Sequence, residues 1–365
     1  MKSNKITIKL LLVFLIILIA IPLASFSMRG AQNSIRIDPY FLVGTRAEQE
    51  ELISFFYLLS NENGNSTEQF AIVREIANAF IRQGEYNRLI NFLYSRIHHY
   101  PYDPYTAYYL FMIAFAYQQL EAYPIAALYF DMIVKNYPDL EVNGQSIHLA
   151  SLNHLIALVD NPQQQQWYYE ELISRFLDQI DPGRAFFMLA QAYERVGEWD
   201  RAIRAYSQFL THGDTNTHIP GFPDAFNYAR RIVDFSNSAK DWTFPTLDAL
   251  LNNIGRALNA GSAVQLSRYT SRVGFFARTW EQEISHTGGV AGHDTFHLGA
   301  LMWGNRIQYA STLAAGSNAN EAFLRTWGWR NIPIWYLYFR RIYFPMDTAF
   351  HGHWEWAGIF FGEKF

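Results

Sequence analysis

The chain contains no cysteine. That excludes disulfides, a thiolate zinc site and the lipid-modified cysteine of a bacterial lipoprotein signal. Charge is also scarce. Only 17% of the 365 residues are charged and the formal net charge is -4, so the basic footprint that nucleic acid requires is missing and nucleic acid is set aside as a partner. No glycine-rich phosphate loop, nucleophile elbow or cysteine–histidine pair occurs, and neither a cofactor site nor a nucleophilic active site is expected. What is abundant is apolar surface: 50% of residues are hydrophobic and 17% aromatic, enough for packed cores in two or three domains.

The first apolar feature is terminal. Lys2, Lys5 and Lys9 precede an uninterrupted apolar run from Leu10 to Ala24, followed by Ser25, Phe26 and Ser27. A basic flank before an apolar core is the pattern of an export signal. The run is long for a cleaved signal and short for a spanning helix, which takes about 20 residues. Residues 1–28 are therefore expected to be a hydrophobic signal anchor contacting the membrane through residues 10–27, or a cleaved signal peptide. The body would lie outside the cytoplasm, anchored to the inner membrane or secreted or periplasmic. Residues 29–45 read as a tether.

Three stretches share one register of small and aromatic residues. The first has Ile76, Ala77, Phe80, Gly84, Tyr86, Leu89 and Leu93 and closes on Pro101; the second has Leu110, Ala114, Tyr117, Tyr123, Ala126, Phe130 and Ile133 and closes on Pro138. The third begins at Gly183 and has Phe186, Leu189, Ala190, Tyr193, Gly197, Trp199, Ala202 and Tyr206. The alanines fall where two helices would cross and let the backbones approach, while the aromatic residues fill the space beside them. Gly84 and Gly197 sit at the turn between helices, where glycine takes a positive φ at little cost; Glu121 holds that place in the second copy.

This register resembles the tetratricopeptide repeat family, whose period is about 34 residues. The resemblance implies stacked helical hairpins that bind other proteins or peptides, so a non-catalytic scaffold is expected. Helices at 145–159 and 163–179, around Asn161-Pro162, lack the alanine register and read as a degenerate pair, with a last helix at 223–237. Repeats are thus expected over 46–240. By family register the inner groove would present Arg74, Asn78 and Arg82 in the first copy and Tyr108, Phe111, Phe115, Gln118 and Gln119 in the second. The third copy would add Arg184, Phe187, Gln191, Glu194 and Arg195. Arg74 and Asn78 match part of the carboxylate clamp of some family members; Met112 stands where that clamp has asparagine.

From 241 to 365 the character changes. Seven of the 10 Trp lie at Trp280 or beyond, where the helical register has ended. Helices are expected at 245–259 and 263–269 and strands at 273–283, 332–344 and 354–361, the last two as a hairpin. Helices before an aromatic sheet give an α+β order. The fold class is therefore mostly α: a tetratricopeptide-like solenoid, then an aromatic-rich α+β domain, preceded by one hydrophobic helix. Residues 257–280 are similar to the opening of NTF2-like cone domains, which implies a pocket for a small molecule or peptide as an alternative function. A second alternative is an enzyme using His293, His297, His351, His353 and Glu355. His293 and His297, four apart around Asp294, would share a helix face, but the glycines before them favour a loop, and no metal site is expected.

Overall fold

The computed structural model describes residues 37–60, 66–280, 298–302 and 304–363. The chain divides into two compact units, Met1–Arg88 and Leu89–Phe365. In the first, a 3-10 turn at Pro39–Phe41 leads into helix α1 (Arg46–Leu59), followed by α2 (Ser66–Arg82). A capping box starts α1: the Glu48 N–H donates to the Thr45 hydroxyl, and the Thr45 N–H donates to the Glu48 carboxylate at 2.7 Å. That backbone donor holds the Glu48 carboxyl below the usual carboxylate range. Helix α3 (Tyr86–His99) begins at the end of this unit and runs into the next.

The second unit continues with α4 (Thr106–Gln119), α5 (Tyr123–Asn136) and a small hairpin of β1 (Glu141–Val142) and β2 (Gln145–Ser146). Then come α6 (Ile147–Leu158), α7 (Pro162–Phe176), α8 (Pro182–Val196), α9 (Trp199–His212) and α10 (Ala225–Asn237). From α4 to α10 each helix packs on the next, and α4 also touches α6, as in a stack of hairpins. Ala114 and Ala190 are fully buried at the crossings, as are Ala126 and Ala202 on the partner helices. Asn161 and Asp181 cap α7 and α8, each followed by a proline whose missing N–H costs nothing at a helix start.

The inter-helix turns share one hydrogen-bond pattern. The Glu198 N–H donates to the Tyr193 carbonyl, the Ala122 N–H to that of Tyr117 and the Glu85 N–H to that of Phe80, all at 2.9 Å. Each requires a left-handed residue just before the donor: Gly84 at φ 71°, Gly197 at φ 79°, and Glu121 at φ 60°. A side chain in that conformation costs roughly 1–2 kcal/mol, only partly offset by glycine's greater chain entropy. Glu121→Gly is accordingly expected to stabilise the protein by about 0.5–1 kcal/mol in urea unfolding; a loss of stability would show that the Glu121 side chain contributes more than its backbone costs.

The expected helix from Gln145 instead starts at Ile147, capped by Ser146, because Gln145 and Ser146 pair with Glu141 and Val142. Asn143 (φ 54°) and Gly144 (φ 75°) form the two-residue turn, the combination that favours a tight hairpin.

The C-terminal region adds α11 (Leu247–Asn259), α12 (Ala263–Arg268), β3 (Phe276–Thr279), α13 (Leu298–Met302), β4 (Gln308–Tyr309), β5 (Glu321–Trp327), β6 (Ile334–Arg341) and β7 (Trp354–Phe361). The sheet order is β3-β7-β6-β5-β4, with β3 parallel to β7 and the other pairs antiparallel. One sheet face packs Trp335, Leu337, Phe339, Trp356 and Ile359 against apolar residues of α11, α12 and α13. The helical region is thus followed by an aromatic-rich α+β region, and β6 and β7 form the expected hairpin. Strand β5 was not foreseen. The sheet ends in β3 and β4 without closing, so the described residues do not form a closed NTF2-like barrel.

The membrane expectation is corrected. Among the described residues no helix is long and apolar enough to cross a membrane; the longest, α2, has 17 residues with charges along it. Residues 10–27, on which the signal-anchor expectation falls, lie outside the described residues. No spanning helix among the described residues supports inner-membrane anchoring, a membrane partner or a location deduced from them.

Candidate partner-binding groove

Helix α4, with the sequence TAYYLFMIAFAYQQ, carries no charged residue. Eight of its residues are buried, and on its other side Tyr108, Phe111, Phe115 and Gln118 stay partly exposed, with Gln119 exposed. The neighbouring α6, IHLASLNHLIAL, also lacks acidic and basic residues apart from two histidines. His154 of α6 stacks on Phe130 at 4.6 Å, and Phe111 meets both rings edge-on, at 5.5 and 5.8 Å. Burial pushes the His154 imidazole below its ordinary pKa and favours the neutral form. Two touching helices therefore present a surface without formal charge. His154 escaped the sequence reading; the missing charge in 147–158 was its available signal.

Further along, α8 behaves differently. Arg184 is exposed, but Phe187 is wholly buried among Tyr206, Phe209, Phe222 and Tyr228, so it offers no surface to a partner. Gln191 and Glu194 turn into a hydrogen-bond network: the Gln191 amide and the hydroxyls of Tyr206 and Tyr228 donate to the Glu194 carboxylate at 2.9, 2.9 and 3.2 Å. Burial raises the Glu194 pKa against the opposing pull of these donors, and burial together with Glu194 pushes Tyr228 up to about 12. Arg195 binds the Asp160 carboxylate at 3.0 Å and Gln165 at 3.3 Å. Of the five α8 residues expected in the groove, Arg184 alone is exposed and outside these contacts.

In the first unit, Arg74 lies 3.8 Å from the Glu75 carboxylate and over the Phe70 ring; Asn78 is half-buried and Arg82 exposed. Met112, at the clamp position, is buried in the second unit.

Among the described residues, the C-terminal candidates for chemistry engage separate partners. His351 accepts the Phe344 N–H at 3.1 Å, His353 lies 3.3 Å from the Thr243 hydroxyl, and the Glu355 carboxylate accepts from Trp242 and Arg340. Each imidazole and the carboxylate serve a different local contact. His293, Asp294 and His297 lie outside the described residues. Among the described residues no group of three His, Asp or Glu is placed to hold a metal.

Two family profiles, both described as tetratricopeptide repeat, match residues 108–140 and 185–218. Residues 108–218 are a tetratricopeptide-repeat region. The matches fall on the hairpins α4–α5 and α8–α9, and the pair α6–α7 carries the stack between these two tetratricopeptide repeats. No curated protein matches the chain.

Proposed function

We propose that the tetratricopeptide-repeat region binds an apolar, uncharged segment of a partner protein across α4 and α6, and that the protein acts by binding and not by catalysis. The observation that carries this reading is the charge-free α4. A helix apolar on all sides is ordinarily buried on all sides, yet Tyr108, Phe111 and Phe115 are partly open to solvent. Apolar and aromatic side chains that gain full burial are the usual anchors of a protein interface. The first stretch, from Phe70 to Pro101 with Ala77, Phe80 and Gly84 in the shared register, is included as a further copy.

The test is a crosslinked pull-down with purified protein as bait, comparing Phe115→Ala with Arg184→Ala. Loss of an aromatic anchor costs about 2 kcal/mol, roughly a thirtyfold loss of affinity. Phe115→Ala is expected to lose the captured partner while Arg184→Ala retains it, with circular dichroism showing both folded. Equal recovery by wild type and Phe115→Ala would sink the assignment to this groove.

A further inference from the structure

The sheet has a second face, turned away from α11 and α12. There Phe276, Phe323, Tyr336 and Phe360 pack with Trp280 and Tyr338. Trp280 stacks on Phe360 at 4.3 Å with the rings 10° apart. Phe276 lies across β7 at its cross-strand partner Gly358, where a Cβ would come within 2.7 Å of the ring. Glycine at 358 is what lets that ring lie over the strand. One end of this face is covered by Phe235 and Trp242 over Ile342 and Phe344. The aromatic end is built from strand residues together with Trp280 and Ala314.

Arg278 lies among these rings. Its guanidinium carbon is 4.1 Å from the centroid of Phe276 and 5.1 Å from that of Phe360. Its Nε is buried with no acceptor, and among the described residues no carboxylate pairs with it. The nearby carboxylates are committed elsewhere: Glu363 receives Arg325 at 3.0 Å and the Tyr336 hydroxyl at 2.7 Å, and Glu321 receives the Tyr338 hydroxyl at 2.6 Å. Burial pushes the guanidinium's pKa below its ordinary value, with Tyr338 pulling the other way. The residue as a whole is only partly buried, so the cost falls on the Nε–H, which is out of water without an acceptor, and stacked rings return only part of it.

We propose that this aromatic face binds an apolar carboxylate, an aromatic or fatty acid whose carboxylate meets Arg278 and whose body lies on the partly exposed rings of Phe276 and Trp280. A guanidinium offers two parallel N–H donors to a carboxylate, and the rings beside it supply apolar contact and exclude water. This site is separate from the repeat groove and stands or falls independently of the partner-binding reading.

Calorimetric titration of the full-length protein with phenylbutyrate and with octanoate, each beside its uncharged amide, tests the proposal. At least one acid is expected to bind roughly tenfold or more tightly than its amide, as a charge-assisted pair requires. Preference confined to phenylbutyrate identifies an aromatic acid site, and preference confined to octanoate a fatty acid site. Arg278→Met is expected to abolish the preference while melting at the same or a higher temperature, because it removes a buried N–H that has no acceptor; a purely structural arginine would lower the melting temperature instead. Should Arg278→Met fail to fold, Arg278→Gln replaces it, and the acid–amide comparison on the wild-type protein needs no variant. Absence of binding, equal binding of acid and amide, or a preference that survives loss of the arginine overturns the proposal.

Discussion

Asp103→Ala is expected to lower the unfolding free energy by about 3–5 kcal/mol, the loss typical of breaking a buried ion pair by removing one partner. Asp103 and Arg96 meet at 2.9 Å with side chains 3% and 5% exposed. The carboxylate also accepts the Tyr105 N–H at 2.9 Å and the Tyr109 hydroxyl at 3.3 Å, while the guanidinium lies 3.9 Å from the Tyr100 ring centroid. Burial, followed by the Asp103 charge, pushes the Tyr109 hydroxyl pKa upward, so that phenol stays a donor. Alanine at 103 takes the paired carboxylate away from a buried guanidinium and removes the anchor of the turn that leads into α4. A fold with roughly 5–15 kcal/mol in total loses a large fraction of it. Urea unfolding at neutral pH measures the effect through the midpoint at constant slope. Pairing Asp103→Leu with Arg96→Met should restore much of the loss, since an apolar pair avoids the desolvation both charges incur. A loss under about 1 kcal/mol for the single variant would mean that water reaches Arg96 at once, contrary to its burial.

How far the sequence carried the fold depended on how local the determining contacts are. Strand β7 falls on the range its pattern predicts, Trp354–Phe361. The three left-handed turn positions follow from the repeat register, Glu121 among them although it is not glycine. These features rest on contacts within one hairpin. Strand β5 escaped because Phe323 packs on one face of the sheet while Ala322 and Leu324 pack on the other, so the polar–apolar alternation that marks a half-buried strand is missing. The groove was only partly legible for a related reason. Register places Phe187 on the inner side of its own hairpin, but Phe222 and Tyr228, from the segment after that hairpin, cover it. The tetratricopeptide register describes a single copy and is blind to what the following helix does.

The same blindness made Glu355 look like pocket chemistry, and its contacts yield the second large effect. Glu355→Ala is expected to destabilise the protein by about 3 kcal/mol. The Glu355 side chain is 4% exposed; it accepts the Arg340 Nε–H at 2.7 Å and the Trp242 Nε1–H at 2.9 Å. Trp242 lies 113 residues earlier and is itself buried beside Phe235 of α10, Ile342 and Phe344. The carboxylate therefore ties the segment after the last repeat helix to strands β6 and β7. Removing it orphans a buried indole N–H and an arginine at the same time. Arg340 is 33% exposed and can turn toward water, which keeps the expected loss near the lower end of the range for buried pairs. Glu355→Gln should fall between wild type and alanine, because one amide oxygen can still accept from Trp242 but carries no charge for Arg340. Thermal unfolding of the three proteins gives the order. If glutamine matches wild type, the carboxylate's value lies in the Trp242 hydrogen bond; if it matches alanine, the charge on Arg340 decides. Any of these outcomes assigns Glu355 to holding the sheet against the chain before it, and an unchanged melting temperature in Glu355→Ala would remove it from that role.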